Sequence, residues 1–346
     1  MKVPLRLQNA CGHQLHLTWD MVSFTSPRLT AVSDDTGTCL LSLTWLEEQV
    51  SLNVWPDSPD EYSLTLTLEN GYLRRIESET GADDTYVWEL DYSDTGTWGT
   101  WLTGVSTPGG ATESVSYCTD GSSHHFPEAA ALPPLPYVTH RSVRTSPDMP
   151  PQITNYSYSE ENFLGYGHCQ SWDSTQDNLY GTMTDYTYSS TESTVCDEGH
   201  VQITRTYNCY HLLTEEKTIC RDCVHMVSVD YHAVPWAEFD SQPAVFQLPR
   251  TRTETWVSPE GQRDEVTRMS YDEFGNLLFQ AMPDGSTVKM EYYPLSGEPG
   301  CCPSDPDGFV RYLSQQTVTP ATRDVQYFPD VKPQITRHTW MELSLP

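Results

Sequence analysis

Two Cys-x-His pairs are the residues of this sequence best suited to bind a metal ion. They are Cys209 with His211 and Cys223 with His225, and Cys220 lies near the second pair. Thiolate sulfur and imidazole nitrogen are the usual ligands of tetrahedral zinc. If each pair lies on a β-strand, its two side chains share one face, because side chains alternate along a strand. Zinc is therefore a candidate, although the ligand spacing of structural zinc modules is absent.

A hydrolase is the second chemistry that these residue types could support. His124 and His125 follow an Asp-Gly-Ser-Ser run at 120–123, so acid, serine and histidine lie close in sequence. The Gly-x-Ser-x-Gly turn that exposes a nucleophilic serine does not occur. Adjacent carboxylates could serve a glycosidase, but 48 acidic residues make such pairs expected by chance. We predict no catalytic residues, no cofactor and no enzyme activity.

The elements that would hold these residues are β-hairpins, as the stretch YDEFGNLLFQAMPDGSTVKMEYY at 271–293 shows. Its Pro-Asp-Gly at 283–285 predicts a turn, because Pro presets φ, Asp bonds its own backbone and Gly takes a positive φ. Residues 286–292 then alternate polar and apolar, which is typical of a strand. Asp272 predicts a second turn, with its carboxylate accepting backbone N–H groups ahead of a left-handed Gly275.

This hairpin pattern recurs along the chain as a Leu, a turn Gly eight residues later and an aromatic ring seven residues after that. The complete copies are Leu73, Gly81 and Trp88; Leu102, Gly110 and Tyr117; and Leu277, Gly285 and Tyr292. The partial copies are Leu29 with Gly37 and Gly181 with Tyr188. Tyr271, Asp272 and Gly275 introduce the third complete copy, and Gly71 precedes Leu73 as Gly275 precedes Leu277. A lone hairpin is barely stable, so the units must stack side by side. We predict an all-β fold of stacked antiparallel hairpins that form a curved, open sheet.

A degenerate copy at 207–231 contains the zinc candidates. Its Leu213 lies three residues further from the closing Tyr231 than Leu277 lies from Tyr292. We place the extra length at the turn, where Cys220 and Cys223 replace Pro-Asp-Gly. The repeat already explains this stretch, so we favour a set of paired or free thiols at a lengthened turn over a zinc site.

These units resemble the YD repeats of the Rhs family. The resemblance also rests on YSYSEENFLGYG at 156–167, LPPLPYVTH at 132–140 and DPDGFVRYLSQQTVTP at 305–320, and it runs from about residue 60 onward. It implies a segment of a spiral β-shell, as in the C component of bacterial insecticidal toxin complexes and in Rhs effectors of interbacterial competition. In that family the shell encloses a toxin domain. The implied partners are a further YD-repeat chain or shell protein and an enclosed toxin.

The charge balance excludes several classes of partner. With 19 basic and 48 acidic residues, the formal net charge is −29, which repels phosphate backbones and anionic membranes. No stretch approaches the ~18 apolar residues of a membrane span, and no secretory signal peptide is visible. We therefore expect no nucleic-acid binding and no membrane insertion. The expected location is the cytoplasm before export, then the cell surface or exterior by a route without a Sec signal.

The domain organisation predicted from the sequence is one continuous repeat region. Residues 1–60 are an N-terminal β-rich segment that matches the repeat only partly, and 61–346 are the YD-repeat region. Proline-rich crossovers at 127–151 and 294–306 interrupt that region, since Pro removes a backbone donor. The alternative function is a surface module whose exposed rings bind carbohydrate or a partner protein.

Overall fold

The structure, a computed structural model, describes residues 2–9, 12–23, 26–80, 84–118, 124–182, 185–196, 199–321 and 332–342. These residues form 22 β-strands and four short 3-10 turns. Every strand pairing shown is antiparallel and joins strands that follow one another in the chain. The prediction of an all-β fold of stacked hairpins is confirmed, whereas the curvature of the sheet stays a prediction.

The chain divides into two compact units. Unit 1 comprises Met1–Thr119 and Pro136–Ile153. Its strands pair in chain order, from the first to the eleventh. They are β1 (Arg6–Gln8), β2 (Gln14–Ser23), β3 (Ser26–Asp34), β4 (Cys39–Trp45), β5 (Gln49–Val54), β6 (Tyr62–Glu69), β7 (Tyr72–Thr80), β8 (Asp84–Asp94), β9 (Thr100–Ser106), β10 (Thr112–Cys118) and β11 (Tyr137–Arg144).

Unit 2 comprises Asp120–Leu135 and Thr154–Pro346. Its strands also pair in chain order. They are β12 (Gln152–Tyr158, paired from Thr154), β13 (Thr187–Cys196), β14 (Gly199–Asn208), β15 (Leu213–Cys220), β16 (Cys223–Tyr231), β17 (Pro249–Ser258), β18 (Gly261–Tyr271), β19 (Leu277–Ala281), β20 (Thr287–Tyr292), β21 (Leu313–Thr319) and β22 (Gln334–Arg337).

The connections of unit 2 differ sharply between the two ends of its strands. At one end several are tight, as at Arg221–Asp222 between β15 and β16, although residues 320–333 join β21 to β22 there. At the other end three long connections follow β12, β16 and β20, at 159–186, 232–248 and 293–312. We call this end the loop edge. Two of the residue groups considered above lie at this edge: the turn around Cys209, between β14 and β15, and His124, beside Tyr158 at the end of β12.

Burial is sparse in a fold made of single sheets. Few of the described residues are fully buried, among them Val32 and Val50 in unit 1. In unit 2 the main buried cluster lies at the loop edge and consists of Leu179, Tyr186, Cys209 and Tyr210. No helix in the described parts of the chain is long and apolar enough to cross a membrane.

The two proline-rich segments contain regular structure. Within 127–151 lie a 3-10 turn, Glu128–Ala130, and strand β11. Within 294–306 an isolated antiparallel bridge joins Glu298 to Cys302. Strand pairing therefore continues inside the first segment, and the predicted domain boundaries stay predictions.

Candidate functional site

The rings that close the hairpins donate hydrogen bonds to the backbone of the residue that opens the hairpin. Tyr117 Oη donates to Leu102 O at 3.0 Å, and Tyr292 Oη donates to Leu277 O at 3.2 Å. Seven hairpins in the described chain share this bond from a Tyr hydroxyl or a Trp indole. The pairs are Trp19–Pro4, Trp45–Leu29, Tyr92–Leu73, Tyr117–Leu102, Tyr231–Leu213, Tyr292–Leu277 and Trp340–Leu313. In each hairpin the ring residue lies one position beyond the cross-strand partner of the acceptor. The repeat is thus a repeated polar contact as well as a repeated spacing.

The first complete repeat closes at Tyr92, and not at Trp88 as the spacing predicts. Trp88 is the cross-strand partner of Ile76 in the middle of the hairpin, whereas Tyr92 Oη donates to Leu73 O at 2.9 Å. The reason is strand length. Both strands of this hairpin extend two residues further before the turn than those of the third copy, which moves the ring by four residues. Gly81, the predicted turn residue, lies outside the described residues.

Most ring residues also pair forward with the next strand across a β-bulge. Tyr92 faces Leu102 and Tyr292 faces Leu313, and one residue of the next strand is left unpaired beside each. The ring residues that lie opposite such a bulge in the next strand are Trp19, Tyr92, Tyr117, Tyr207, Tyr231, Tyr271 and Tyr292. A ring residue with both contacts therefore joins three consecutive strands. Its side chain donates a hydrogen bond to the preceding strand, and its backbone pairs with the following strand.

A hydroxyl side chain fixes four of these bulges. The unpaired residue is Thr or Ser, and its hydroxyl donates to the carbonyl just before the ring residue. The pairs are Thr30 with Thr18, Thr139 with Ser116, Thr214 with Thr206 and Ser314 with Glu291, at 2.8–3.2 Å. Sequence reasoning missed this device, although an apolar residue followed by Thr or Ser at the start of a strand would have indicated it.

The turns use an Asp or Asn side chain and a left-handed residue. Asp272 Oδ1 accepts the N–H groups of Phe274 and Asn276 at 3.0 and 2.8 Å, and Gly275 has φ 86°. The loops at Asp34, Asn208 and Asp305 repeat these bonds. Gly71, Gly110 and Gly285 also have positive φ, at 83°, 80° and 84°. Gly181 does not fit the pattern, since it lies in a 3-10 turn rather than a hairpin turn.

The zinc candidates lie at opposite ends of β15. Cys209 and His211 lie in the turn before this strand, while Cys223 and His225 lie on β16, with His225 opposite Thr218. The five steps along the strand from Leu213 to Thr218 span roughly 16 Å at ~3.3 Å per residue. One zinc ion needs all its ligands within ~2.3 Å, so the two pairs cannot share an ion. No group of three or more His, Cys, Asp or Glu residues arranged to hold a metal is found among the residues that the structure describes.

The turn between Cys220 and Cys223 is short, which corrects the predicted lengthened turn. These two residues are direct cross-strand partners, and only Arg221 and Asp222 lie between them. Arg221 takes the left-handed conformation with φ 53°. The extra length of this copy lies in its strands, each of which runs further than in the third copy. Both thiols are free.

His211 joins the first long loop to the sheet. It occupies the left-handed turn position that glycine takes elsewhere, with φ 59°. Its Nδ1 lies 2.7 Å from Tyr188 Oη, and its Nε2 lies 2.6 Å from Asp177 Oδ2. Because a carboxylate only accepts, Nε2–H donates to Asp177, and Nδ1 shares a hydrogen bond with the Tyr188 hydroxyl. Asp177 also accepts from Leu179 N at 2.9 Å, so this chain of bonds positions the 3-10 turn that buries Leu179.

The buried cluster at the loop edge suppresses ionisation of its polar groups. Burial raises the pKa of Tyr186 to about 12, and burial raises the pKa of Tyr188 even further. Tyr186 Oη donates to Asn162 O at 2.8 Å and accepts from Asn162 N at 2.9 Å. Burial also raises the pKa of the Cys209 thiol. A thiol with a raised pKa is a poor nucleophile, so these groups have the properties of a packed core.

Two of the long loops meet through aromatic rings and enclose a cleft. Tyr180 stacks on Phe239 with ring centroids 4.3 Å apart, and Gln242 Nε2 donates to Tyr210 Oη at 2.9 Å. The cleft has a volume of ≈ 840 Å³. Its lining includes the carboxylates of Asp177, Glu238 and Asp240, and among the described residues it contains no Lys or Arg. This surface has the acidic and aromatic character of the whole sequence.

The described residues give the hydrolase hypothesis no geometric support. Residues 120–123, which would supply its acid and serine, lie outside the described residues. His124 packs edge-on against Tyr158 and Phe163, with ring centroids 4.7 and 5.3 Å away. Burial lowers the pKa of His124, as expected for an imidazole held among rings.

Comparisons with known proteins were made by sequence and by structure. No protein-family model matches the chain, and no curated protein matches it. Among solved structures, it is similar to a chain of the Photorhabdus luminescens Tc holotoxin pore, at 11% identity and a TM-score of 0.30. The match covers 95% of this chain and 17% of that chain, so this chain spans about a sixth of that protein's length. A TM-score this low does not define a shared overall fold.

Proposed function

We propose that this protein is a non-catalytic segment of an Rhs/YD-repeat shell, part of a scaffold that encloses and delivers a toxin domain. The observation that carries the proposal is the bond from ring to carbonyl, which recurs in seven hairpins. In these hairpins the bond links the second strand to the first. Such local contacts between neighbouring strands are what a wall of stacked hairpins requires.

The exposed area supports a role as one wall of a larger assembly. Few of the described hydrophobic side chains are buried, among them Val50 in unit 1 and Leu179 in unit 2. Large apolar side chains remain exposed, including Leu7 and Ile335 on outer strands. Sheets with exposed edges and faces need cover from another chain. We propose that this cover is a shell protein and its enclosed toxin.

Protection of a toxin from protease tests the proposal. The chain would be co-expressed with an Rhs/YD-repeat chain that carries a nuclease domain, and the purified mixture would be treated with a nonspecific protease. We expect the two chains to co-purify and the nuclease domain to survive longer than it does without this chain. Separate elution of the two chains, with unchanged cleavage of the nuclease, would contradict the proposal.

A surface binding module is the second candidate function, and the loop edge favours it. Trp236 is 67% exposed in a left-handed conformation with φ 64°, beside a cleft of ≈ 260 Å³ that it lines with Tyr210 and Val234. Exposed rings can stack on sugars or anchor a partner protein. Specific signals on a glycan array from a monodisperse monomer, lost in Trp236→Ala, would favour this function over the shell.

A further inference from the structure

A small pocket at the loop edge of unit 2 is walled mainly by aromatic rings, three of which the strand register places together. Tyr158 lies opposite Ser190, and Tyr188 lies opposite Tyr207. Cross-strand partners share one face of a sheet, as do residues two apart in one strand. Tyr158, Tyr188 and Tyr207 therefore project from β12, β13 and β14 to the same side. Tyr188 and Tyr207 stack, with ring centroids 5.2 Å apart.

His124 and the first long loop complete the walls of this pocket. The ring of His124 packs edge-on against Tyr158 and Phe163, with centroids 4.7 and 5.3 Å away. Phe163 keeps 39% of its surface exposed, so it stands at the mouth rather than in the core. Together with the two stacked tyrosines and Glu161, these rings line a volume of ≈ 200 Å³, which we call the aromatic pocket.

The charge around the aromatic pocket is negative. Glu161 is exposed, and the lining contains no Lys or Arg among the described residues. Arg205 on β14 donates hydrogen bonds to the carboxylates of Glu192 and Glu216, so two carboxylates offset its charge. Burial lowers the pKa of His124, which makes its imidazole a neutral wall at neutral pH. The net charge of −29 attracts cations to the surface as a whole.

We propose that the aromatic pocket binds an alkylated ammonium group, such as the trimethylammonium head of choline or of a trimethylated lysine. The faces of aromatic rings attract a cation that lies within about 6 Å of their centroids, and several rings around one cation recognise quaternary ammonium. Such a group carries no N–H donor, so rings can surround it without leaving a hydrogen bond unmade. The Glu161 carboxylate supplies an opposite charge at the mouth. This inference goes beyond the proposed function and does not depend on it.

A pair of isosteric probes separates attraction for a cation from simple apolar binding. The probes are choline and 3,3-dimethylbutan-1-ol, in which a neutral carbon replaces the charged nitrogen. Their binding to the full chain is measured by saturation-transfer NMR on the methyl protons at constant ionic strength. We expect choline to bind saturably and the neutral alcohol to bind at least roughly fivefold more weakly, the equivalent of about 1 kcal/mol. Equal binding of both probes, or no saturable binding of choline, would overturn the inference.

A third probe identifies the source of the ammonium group. It is Nα-acetyl-trimethyllysine amide, which presents the same head on a lysine side chain. Tighter binding than choline assigns a modified lysine of a partner protein as the ligand, whereas weaker binding assigns a free organic cation.

Exposed side chains at the mouth allow the site to be located without disturbing the fold. Phe163→Leu keeps apolar bulk but removes the ring face, so choline should bind roughly fivefold more weakly while the neutral alcohol binds as before. Glu161→Gln removes the carboxylate at the mouth and should weaken choline binding, most at low salt. Glu160→Gln is the matched control, because Glu160 is exposed and lies outside the lining. Unchanged choline affinity in Phe163→Leu, or equal losses in the two Gln variants, with circular dichroism as in wild type, would refute the site.

Discussion

Single side chains at the ends of strands determine how neighbouring hairpins fit together. A Tyr or Trp there packs part of its ring over the preceding strand and donates a hydrogen bond to a backbone carbonyl of that strand. Tyr231 Oη, for example, donates to Leu213 O at 2.7 Å. Amphipathic rings suit this position, because one end packs and the other bonds. Phenylalanine would supply the packing without the bond, which explains why the closing positions are Tyr and Trp.

Tyr292→Phe isolates the hydroxyl contribution. The variant keeps the ring but loses the bond to Leu277 O, worth about 1 kcal/mol. We expect amide hydrogen exchange in β19 and β20 to accelerate roughly fivefold. Tyr156→Phe is the control, since the Tyr156 hydroxyl has no partner among the described residues and its removal should leave exchange unchanged. Equal exchange in wild type and Tyr292→Phe would show that the bond contributes nothing.

The raised pKa values of Tyr186 and Tyr188 predict alkaline destabilisation of unit 2. Unfolded tyrosine loses its proton near pH 10, while the pKa of folded Tyr186 is about 12. Between these values the unfolded state binds fewer protons, so stability falls as pH rises. Absorbance at 295 nm should show late-ionising tyrosines whose release coincides with loss of the β-sheet signal. Ionisation of every tyrosine near pH 10 with the fold intact would contradict the assignment of buried hydroxyls.

At the scale of elements, the turn sets where each hairpin ends and the bulge sets how the next one begins. Asp272 organises its turn by accepting two backbone N–H groups, and left-handed glycines complete the turns at little cost. Arg221 and His211 show that other residues can take the left-handed position. In His211 the strained position coincides with two side-chain bonds that fasten the long loop to the sheet.

Two adjacent glycines offer a direct test of turn geometry. Gly110 has φ 80°, and a Cβ there would lie 2.8 Å from Pro147, while Gly109 has no atom within 4 Å of its Cβ position. We expect Gly110→Ala to lower the free energy of unfolding by at least ~1 kcal/mol. Gly109→Ala should be neutral or stabilising, because it restricts the unfolded chain. Urea unfolding measures both, and equal effects would refute the turn assignment.

Sequence spacing predicts the hairpins but not every register. It places Tyr117 and Tyr292 at their closing positions, yet it selects Trp88 over Tyr92, because a fixed interval of fifteen residues cannot allow for longer strands. Local sequence patterns do not predict the contacts at the loop edge. Its contact between Asp177 and His211 joins residues 34 apart in sequence, and nothing in either neighbourhood specifies the other. The sequence signal for this contact was His211, which occupies a turn position where Gly is usual.

At the scale of the whole molecule, the dominant property is unburied surface combined with a net charge of −29. Charge of this size keeps exposed sheets apart in solution, so self-association is disfavoured while pairing with a chain of complementary edge geometry is not. The single-layer sheets leave faces that a partner chain could cover. These features fit a component of an assembly better than an independent globular protein.

Sedimentation velocity of this chain mixed with a separately expressed Rhs/YD-repeat chain tests the shell assignment most directly. The account predicts a faster co-sedimenting species at equimolar concentrations that neither chain forms alone. Two species that sediment independently at every concentration, with this chain always monomeric, would contradict it.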